Sequence, residues 1–334
     1  MRKTAFITGI LGQDGPYLAK LLLGKGYEVY GLIRRYSNPN FSNTDYLEVT
    51  DRINFVMGDM IDESSLMNII KTIQPDEVYN LAAQSFVGSS WDQARLTTEV
   101  NSLGVLYLLN AVKSFAPRAK FYQASTSEMF GNSSQKSLQN EDTPFHPRSP
   151  YAISKLYAHW IVNNFKESHG MYCVNGILFN HESPIRGREF VTRKISEGVA
   201  KIKLGLAKEI RLGNLNSKRD WGYAGDYVVA MWLMLQQPKP DNYIISTGEN
   251  HSVEDFAREA FSYAGISDWK KYIKIDPQFK RPAELFTLCG KSDKARKILG
   301  WKPKVGFKKI VAMMVQADLD QLSNNLRNTS ARKI

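Results

Sequence analysis

The sequence predicts an α/β fold, a doubly wound parallel sheet with a smaller, interwoven C-terminal substrate lobe. Three observations carry this. Apolar strand-like runs alternate with amphipathic helical stretches through residues 1–180. The runs are continuously apolar, as strands covered on both faces are. A glycine-spaced turn, Gly9, Gly12 and Gly15, follows the first run directly and makes the sheet Rossmann-type.

The elements follow in order. Residues 4–9 (TAFITG) read as the first strand and 16–25 (PYLAKLLLGK) as its helix. The runs 27–33 (YEVYGLI), 53–59 (INFVMGD), 77–83 (EVYNLAA) and 120–125 (KFYQAS) read as strands two to five, with helices at 62–73 and 99–115. A helix from about 150 leads to a further strand at 172–180 (YCVNGILFN). Beyond 180 the alternation loosens, and prolines at 184, 238, 240, 277, 282 and 303 punctuate shorter elements. Residues 1–180 are expected to form mainly the dinucleotide-binding domain and 181–325 mainly the substrate lobe. Residues 326–334 close a polar tail expected to be disordered.

The bulk numbers narrow the function. With 334 residues, 43% hydrophobic and 23% charged, the chain can bury a large core. No run of about 18 apolar residues occurs, so no membrane span is expected. The start, MRKTAFITGILGQDG, runs into glycines and does not read as a signal peptide. Cys173 and Cys289 lack metal-ligand spacing. They point to a reducing cytoplasm, with no disulfide framework and no metal. The net charge of +11 is spread without a dense Lys/Arg block or a basic-aromatic module. It suits polyanionic small ligands rather than nucleic acid.

The glycine turn lies between strand and helix, where glycines permit a tight turn and close approach to a pyrophosphate. The helix N-terminus then offers free N–H groups and the positive end of its dipole. Pro16 suits the first helical position, where no intrahelical bond is lost. The second strand runs into Arg34, Arg35, Tyr36 and Ser37 instead of a ribose-binding carboxylate. Two guanidiniums suit a 2′-phosphate, so the cofactor reads as NADP. Asp59 is placed for an adenine amino group, with Met60 beside the base, and Ala82, Ala83 and Gln84 end the fourth strand.

The reaction centre is read from two stretches. Tyr151 and Lys155 share a helix face as YxxxK. An ammonium beside a phenol, with a nicotinamide's positive charge, is expected to lower the phenol pKa so that it acts as a base during hydride transfer. Ser125, Thr126, Ser127 and Glu128 end the fifth strand. Glu128 sets a carboxylate next to the hydroxyls.

These residues resemble the extended short-chain dehydrogenases/reductases, and within them the GDP-mannose 4,6-dehydratases. The resemblance covers nearly the whole chain. It runs through TGILGQDG (8–15), RRYS (34–37), GDM (58–60), NLAAQSFV (80–87), FYQASTSEMFG (121–131) and PRSPYAISKLYAHW (147–160). It continues through GILFNHESPIRGREFVTRK (176–194), LGNLNSKRDWGYAGDYV (212–228) and RPAE (281–284). It implies oxidation at C4 with Tyr151 as base, removal of the C5 proton by Glu128, loss of water from C6 and return of the hydride to C6. Thr126 would orient the 4-oxygen, Ser127 would lie near the leaving hydroxyl, and Lys155 would also hold the nicotinamide ribose. By the same match Gln13, Asp14, Leu81, Ser85, His181 and Arg186 would contact the cofactor. Ser85, Asn180, Glu182, Lys194, Arg219, Arg281 and Glu284 would bind a GDP-sugar. A homodimer or homotetramer is implied.

The sequence departs from the family at Tyr36, Leu96, His146 and Lys280. These positions bear on sugar identity rather than on the catalytic set. A GDP-manno-heptose is therefore the alternative substrate, with Phe86, Val87 and the 183–190 loop as candidates for setting sugar size. A GDP-sugar epimerase or reductase would not need Glu128, and a non-catalytic nucleotide-binding protein would not need Thr126, Tyr151 and Lys155.

Overall fold

The structure is a computed structural model describing residues 2–132, 138–279 and 287–331. Six strands follow the expected order: β1 (Thr4–Thr8), β2 (Glu28–Ile33), β3 (Asn54–Met57), β4 (Glu77–Asn80), β5 (Lys120–Thr126) and β6 (Cys173–Leu178). A seventh, Tyr243–Ile245, pairs with β6 from the far part of the chain. The sheet is parallel, in the order Tyr243–Ile245, β6, β5, β4, β1, β2, β3. Its direction of growth switches beside β1, and such switch points open a crevice at the carboxyl ends of the strands.

Period-two side-chain placement sorts each strand between two cores. Ala5, Ile7, Tyr79 and Tyr122 face helix α1 (Asp14–Gly24) and the helix Ala224–Leu235. Phe6, Val78 and Phe121 face the helices Glu63–Ile73, Gly104–Phe115 and Pro150–His169. Fully burying each such large side chain contributes about 1.5–3 kcal/mol. A third core, including Val199, Phe256, Phe261 and Met314, joins the helices Val191–Lys203, Val253–Tyr263 and Phe307–Ala331.

Three details differ from the sequence reading. Helix α1 starts at Asp14, so Pro16 is its third residue rather than its first. Its missing N–H still falls in the first turn, where no intrahelical partner exists. The helix expected over 99–115 opens with a π-helical stretch, Glu99–Leu103. The last helix spans Phe307–Ala331 and so runs into the polar tail read from 326. A helix already anchored by buried Val311, Met314 and Val315 propagates at one bond per added residue, without a new nucleus. Among the described residues, no helix is long and apolar enough to cross a membrane.

Candidate active site

The phosphate turn is closed by the Gly12 N–H donating to Gly9 O at 3.0 Å. Gly9 has φ +70°, and a Cβ there would lie 2.8 Å from Ala82 N. A Cβ at Gly15 would meet Gly9 O and Ile10 Cα at 2.6 Å. Both positions therefore require glycine, one for backbone conformation and close approach, the other for seating α1 on β1. Asn43 Nδ2 secures the turn from outside, donating to Leu11 O at 3.0 Å and Gly12 O at 3.1 Å.

A buried row of polar side chains crosses the strand ends. Thr8 Oγ1 accepts from the Leu81 and Ala82 N–H groups, both at 3.1 Å, and donates to Asn80 Oδ1 at 2.6 Å. Asn80 Nδ2 donates to Gln123 Oε1 at 2.7 Å, and Gln123 Nε2 to Ala124 O at 3.0 Å. Asn101, in the π-helical stretch, pairs twice with the Gln84 backbone, at 2.8 and 3.1 Å. Such stretches recur at functional sites. Ser125 lies 3.2 Å from His159 Nδ1 and 3.3 Å from Asn175 Oδ1. Thr8, Asn43, Asn80, Asn101, Gln123 and His159 escaped the sequence reading. The available signal was a polar residue inside an apolar strand, as at Asn80 and Gln123.

At the carboxyl end of β5 the chain tightens into the turn Ser127–Phe130, where Thr126 Oγ1 accepts from the Glu128 N–H at 3.2 Å. Ser149 caps the next helix by accepting from Ala152 N–H at 3.1 Å, and Pro150 opens it. Tyr151 and Lys155 thus sit one above the other on its inner face, both buried. Lys155 Nζ donates to Ala124 O at 2.9 Å. Burial pushes Lys155 down to about 8. Burial pushes the Tyr151 phenol up to about 12, although a Thr126 hydrogen bond pulls it down; the Glu128 charge adds to the rise, and Arg186 opposes it. The lowered phenol pKa expected from Lys155 is not what the protein alone displays, because burial dominates and the ammonium is turned to a carbonyl.

One cleft of about 460 Å³ gathers most of the predicted residues. Gly9, Gly12, Gln13, Asp14, Gly15, Arg34, Asp59, Met60, Leu81, Ala82, Ala83, Gln84 and Ser85 line its dinucleotide end. Thr126, Ser127, Glu128, Tyr151, Lys155, Asn180, His181 and Arg186 line the rest. Arg35 and Ser37 are exposed and do not line it, whereas Tyr36 does, with the Arg34 guanidinium 5.0 Å from its ring. Val87 and Phe190 also line the cleft, and Phe86 meets Phe190 edge-on at 5.8 Å.

Three residues expected at the substrate do not line this cleft. Glu182 is buried, accepts from Thr192 Oγ1 at 2.6 Å and pairs with Arg186 at 3.2 Å, so it holds Arg186 instead of lining the cleft. Lys194 stands 3.5 Å over the Phe279 ring, outside the cleft. Arg219 is buried and donates to Lys218 O at 2.8 Å, also outside the cleft. Lys280, Arg281 and Glu284 lie outside the described residues.

His181 carries a charge that its geometry dictates. Its Nε2 lies 2.7 Å from Asp14 Oδ2 and its Nδ1 2.8 Å from Phe179 O. Both partners only accept, so both ring nitrogens donate and the ring is an imidazolium. Burial works against this charge, but the Asp14 carboxylate and its hydrogen bond outweigh it and raise the His181 pKa. Burial likewise opposes the Asp14 charge, and His181 overcomes it, holding the carboxyl below its ordinary range.

The sheet order, the glycine turn and the Tyr151–Lys155 pair define a short-chain dehydrogenase/reductase. A model of the family described as GDP-mannose 4,6 dehydratase matches residues 6–314, and the chain belongs to that family. GDP-mannose 4,6 dehydratase 2 of Arabidopsis thaliana is 52% identical over 329 residues, covering 96% of this chain and 87% of that one. The Homo sapiens GDP-mannose 4,6 dehydratase is 47% identical over 348 residues, covering 97% and 93%. Among solved structures, the Thermus thermophilus UDP-glucose 4-epimerase in complex with NAD superposes with a TM-score of 0.83 at 27% identity, covering 94% of this chain and 98% of that one.

Proposed function

We propose that the protein is an NADP-dependent GDP-mannose 4,6-dehydratase, forming GDP-4-keto-6-deoxymannose. The observation that carries this is Glu128 in the same cleft as Thr126, Tyr151 and the glycine turn. The relatives named above both bear the GDP-mannose name, and the heptose alternative finds no support among them.

The cleft fits a dinucleotide, because the tight glycine turn of Gly9, Gly12 and Gly15 lines it at the start of α1, where backbone can approach a pyrophosphate closely. Gly9 to Gly15 would hold the pyrophosphate, Asp59 and Met60 the adenine, Arg34 a 2′-phosphate, and Lys155 the nicotinamide ribose. When bound, the nicotinamide supplies a reversible hydride acceptor and a positive charge beside the phenol. Tyr151 then takes the proton of the sugar O4, with Thr126 orienting that oxygen. The resulting 4-keto group acidifies C5, and Glu128 takes the C5 proton. The C6 hydroxyl would leave as water with Ser127 beside it, a proton released in the earlier steps completing the water, and C6 would take back the hydride removed from C4 while Glu128 returns a proton to C5. Asn180 and Arg186 border the space left for the sugar diphosphate.

NADP rather than NAD rests on Arg34 lining the cleft, with no carboxylate at the end of β2. We place the enzyme in the cytoplasm, in keeping with two free buried thiols. We also read a homo-oligomer. Ile153, Tyr157 and Trp160, exposed by 57%, 41% and 58%, project from one outer helix face at a spacing that a second copy can cover. The reading is tested by incubating the protein with GDP-mannose and trace NADP. Product one water lighter, without net consumption of NADPH, is expected. Stoichiometric consumption of NADPH would indicate a reductase instead.

A further inference from the structure

Helix α1 and the turn before it reach the segment 180–186 through contacts that none of the steps above uses. Gln13 Nε2 donates to His181 O at 3.0 Å, and Gln13 Oε1 accepts from Ser183 Oγ at 2.9 Å. The neighbouring Asp14 carboxylate holds the His181 imidazolium at 2.7 Å. One helical turn on, Tyr17 meets Tyr223 edge-on at 5.6 Å. The far side is anchored as well. Arg193 donates to Pro184 O, and its Nη2 pairs with Asp318 of the last helix at 2.7 Å.

The segment so held presents Asn180, His181 and Arg186 to the cleft, while Gln13 and Asp14 belong to the phosphate turn. The polar atoms of Gln13, Asp14 and His181 are thus largely engaged with one another. Their common effect is to keep the segment seated on the turn. Ser183 is 0% exposed and does not line the cleft, so its hydroxyl serves this seat.

We propose that Ser183, together with Gln13 and the Asp14–His181 pair, forms a latch that governs how long the dinucleotide stays bound. Ser183 and Gln13 are positioning residues in it. The inference rests on the proposed function, in which the hydride returns to the sugar and the dinucleotide is regenerated in place. A cofactor that need not leave between cycles gains from a closed latch, because each release interrupts turnover.

The test measures release of NADPH from the purified full-length protein by stopped-flow fluorescence, with the parent, Ser183→Ala, Gln13→Ala and the double variant. Losing one neutral hydrogen bond corresponds to a release rate about 2–10-fold faster. Each single variant should show this with a melting temperature lowered by only a few degrees. Because Ser183 and Gln13 bond to each other, the double variant should fall short of the product of the two effects. If Ser183→Ala does not fold, Ser183→Cys, which keeps the side-chain shape and weakens the bond to Gln13, decides the matter. Release rates within twofold of the parent, or fully multiplicative effects, overturn the latch while leaving the proposed function standing. A parent that binds no NADPH overturns both.

Discussion

Replacing Lys155 by Met separates what this residue does for chemistry from what it costs the fold. Lys155 is buried, its Nζ bonded to Ala124 O, and burial brings it from the ordinary 10.5 to about 8. That fall corresponds to about 3 kcal/mol by which the native state disfavours the ammonium. The sign follows from proton counting. Between about 8 and 10.5 the unfolded chain holds a proton that the native protein has released, so parent stability rises with pH across this window. Below about 8 both states are protonated and the full penalty applies. Methionine keeps the length and drops the charge. Urea unfolding of protein stripped of nucleotide, at pH 7 and near pH 10.5, is the assay. Lys155→Met should be more stable than the parent at the lower pH by up to about 3 kcal/mol, less about 1 for the lost bond to Ala124 O. The gap should close as pH rises, and dehydratase activity should be lost. A variant less stable than the parent at pH 7, or a gap independent of pH, refutes the argument.

Three further outcomes follow from the site. Glu128→Gln keeps the shape of a buried side chain but removes the second base, so water loss should fall about 10²–10⁴-fold. Mass spectrometry in deuterated water should show C5 exchange falling with it. Gly15→Ala places a Cβ 2.6 Å from Gly9 O and Ile10 Cα, which forces the backbone to move. It should destabilise the fold by about 1–3 kcal/mol and abolish NADP binding in calorimetry. Arg34→Glu should weaken NADP at least tenfold, from loss of a charge-assisted contact, while NAD moves little. Equal weakening of both dinucleotides would place the 2′-phosphate elsewhere.

The grouping of Thr126, Glu128, Tyr151 and Lys155 in one cleft was legible because their spacing is set by local structure. Tyr151 and Lys155 are related by one helical turn, and Thr126 and Glu128 by the end of a strand. The glycines were legible for the same reason. What stayed hidden was tertiary. Glu182 was read from its place in a motif, whereas its contacts with Thr192 and Arg186 come from the fold. The row Thr8, Asn80, Gln123 is spread over three strands whose adjacency comes from the sheet order, which no single segment encodes. The raised phenol pKa of the protein alone was not legible, because charge proximity can be read from spacing, whereas desolvation depends on everything packed around the ring.

The helix Pro150–His169 joins two surfaces on one rod. Ser149 fixes its start, and Ser154 fixes its rotation, bonded by Asn101 Nδ2 at 3.1 Å and, through its carbonyl, by Ser102 Oγ at 3.0 Å. The phenol and ammonium stand on the inner side, and Ile153, Tyr157 and Trp160 on the outer. With so stiff a support, the outer face cannot evolve as an independent surface. A substitution that rolled the helix by a tenth of a turn would swing every inward side chain by the same angle. Changes at Trp160 are therefore constrained by the placement of Tyr151 in the cleft on the far side of the same helix.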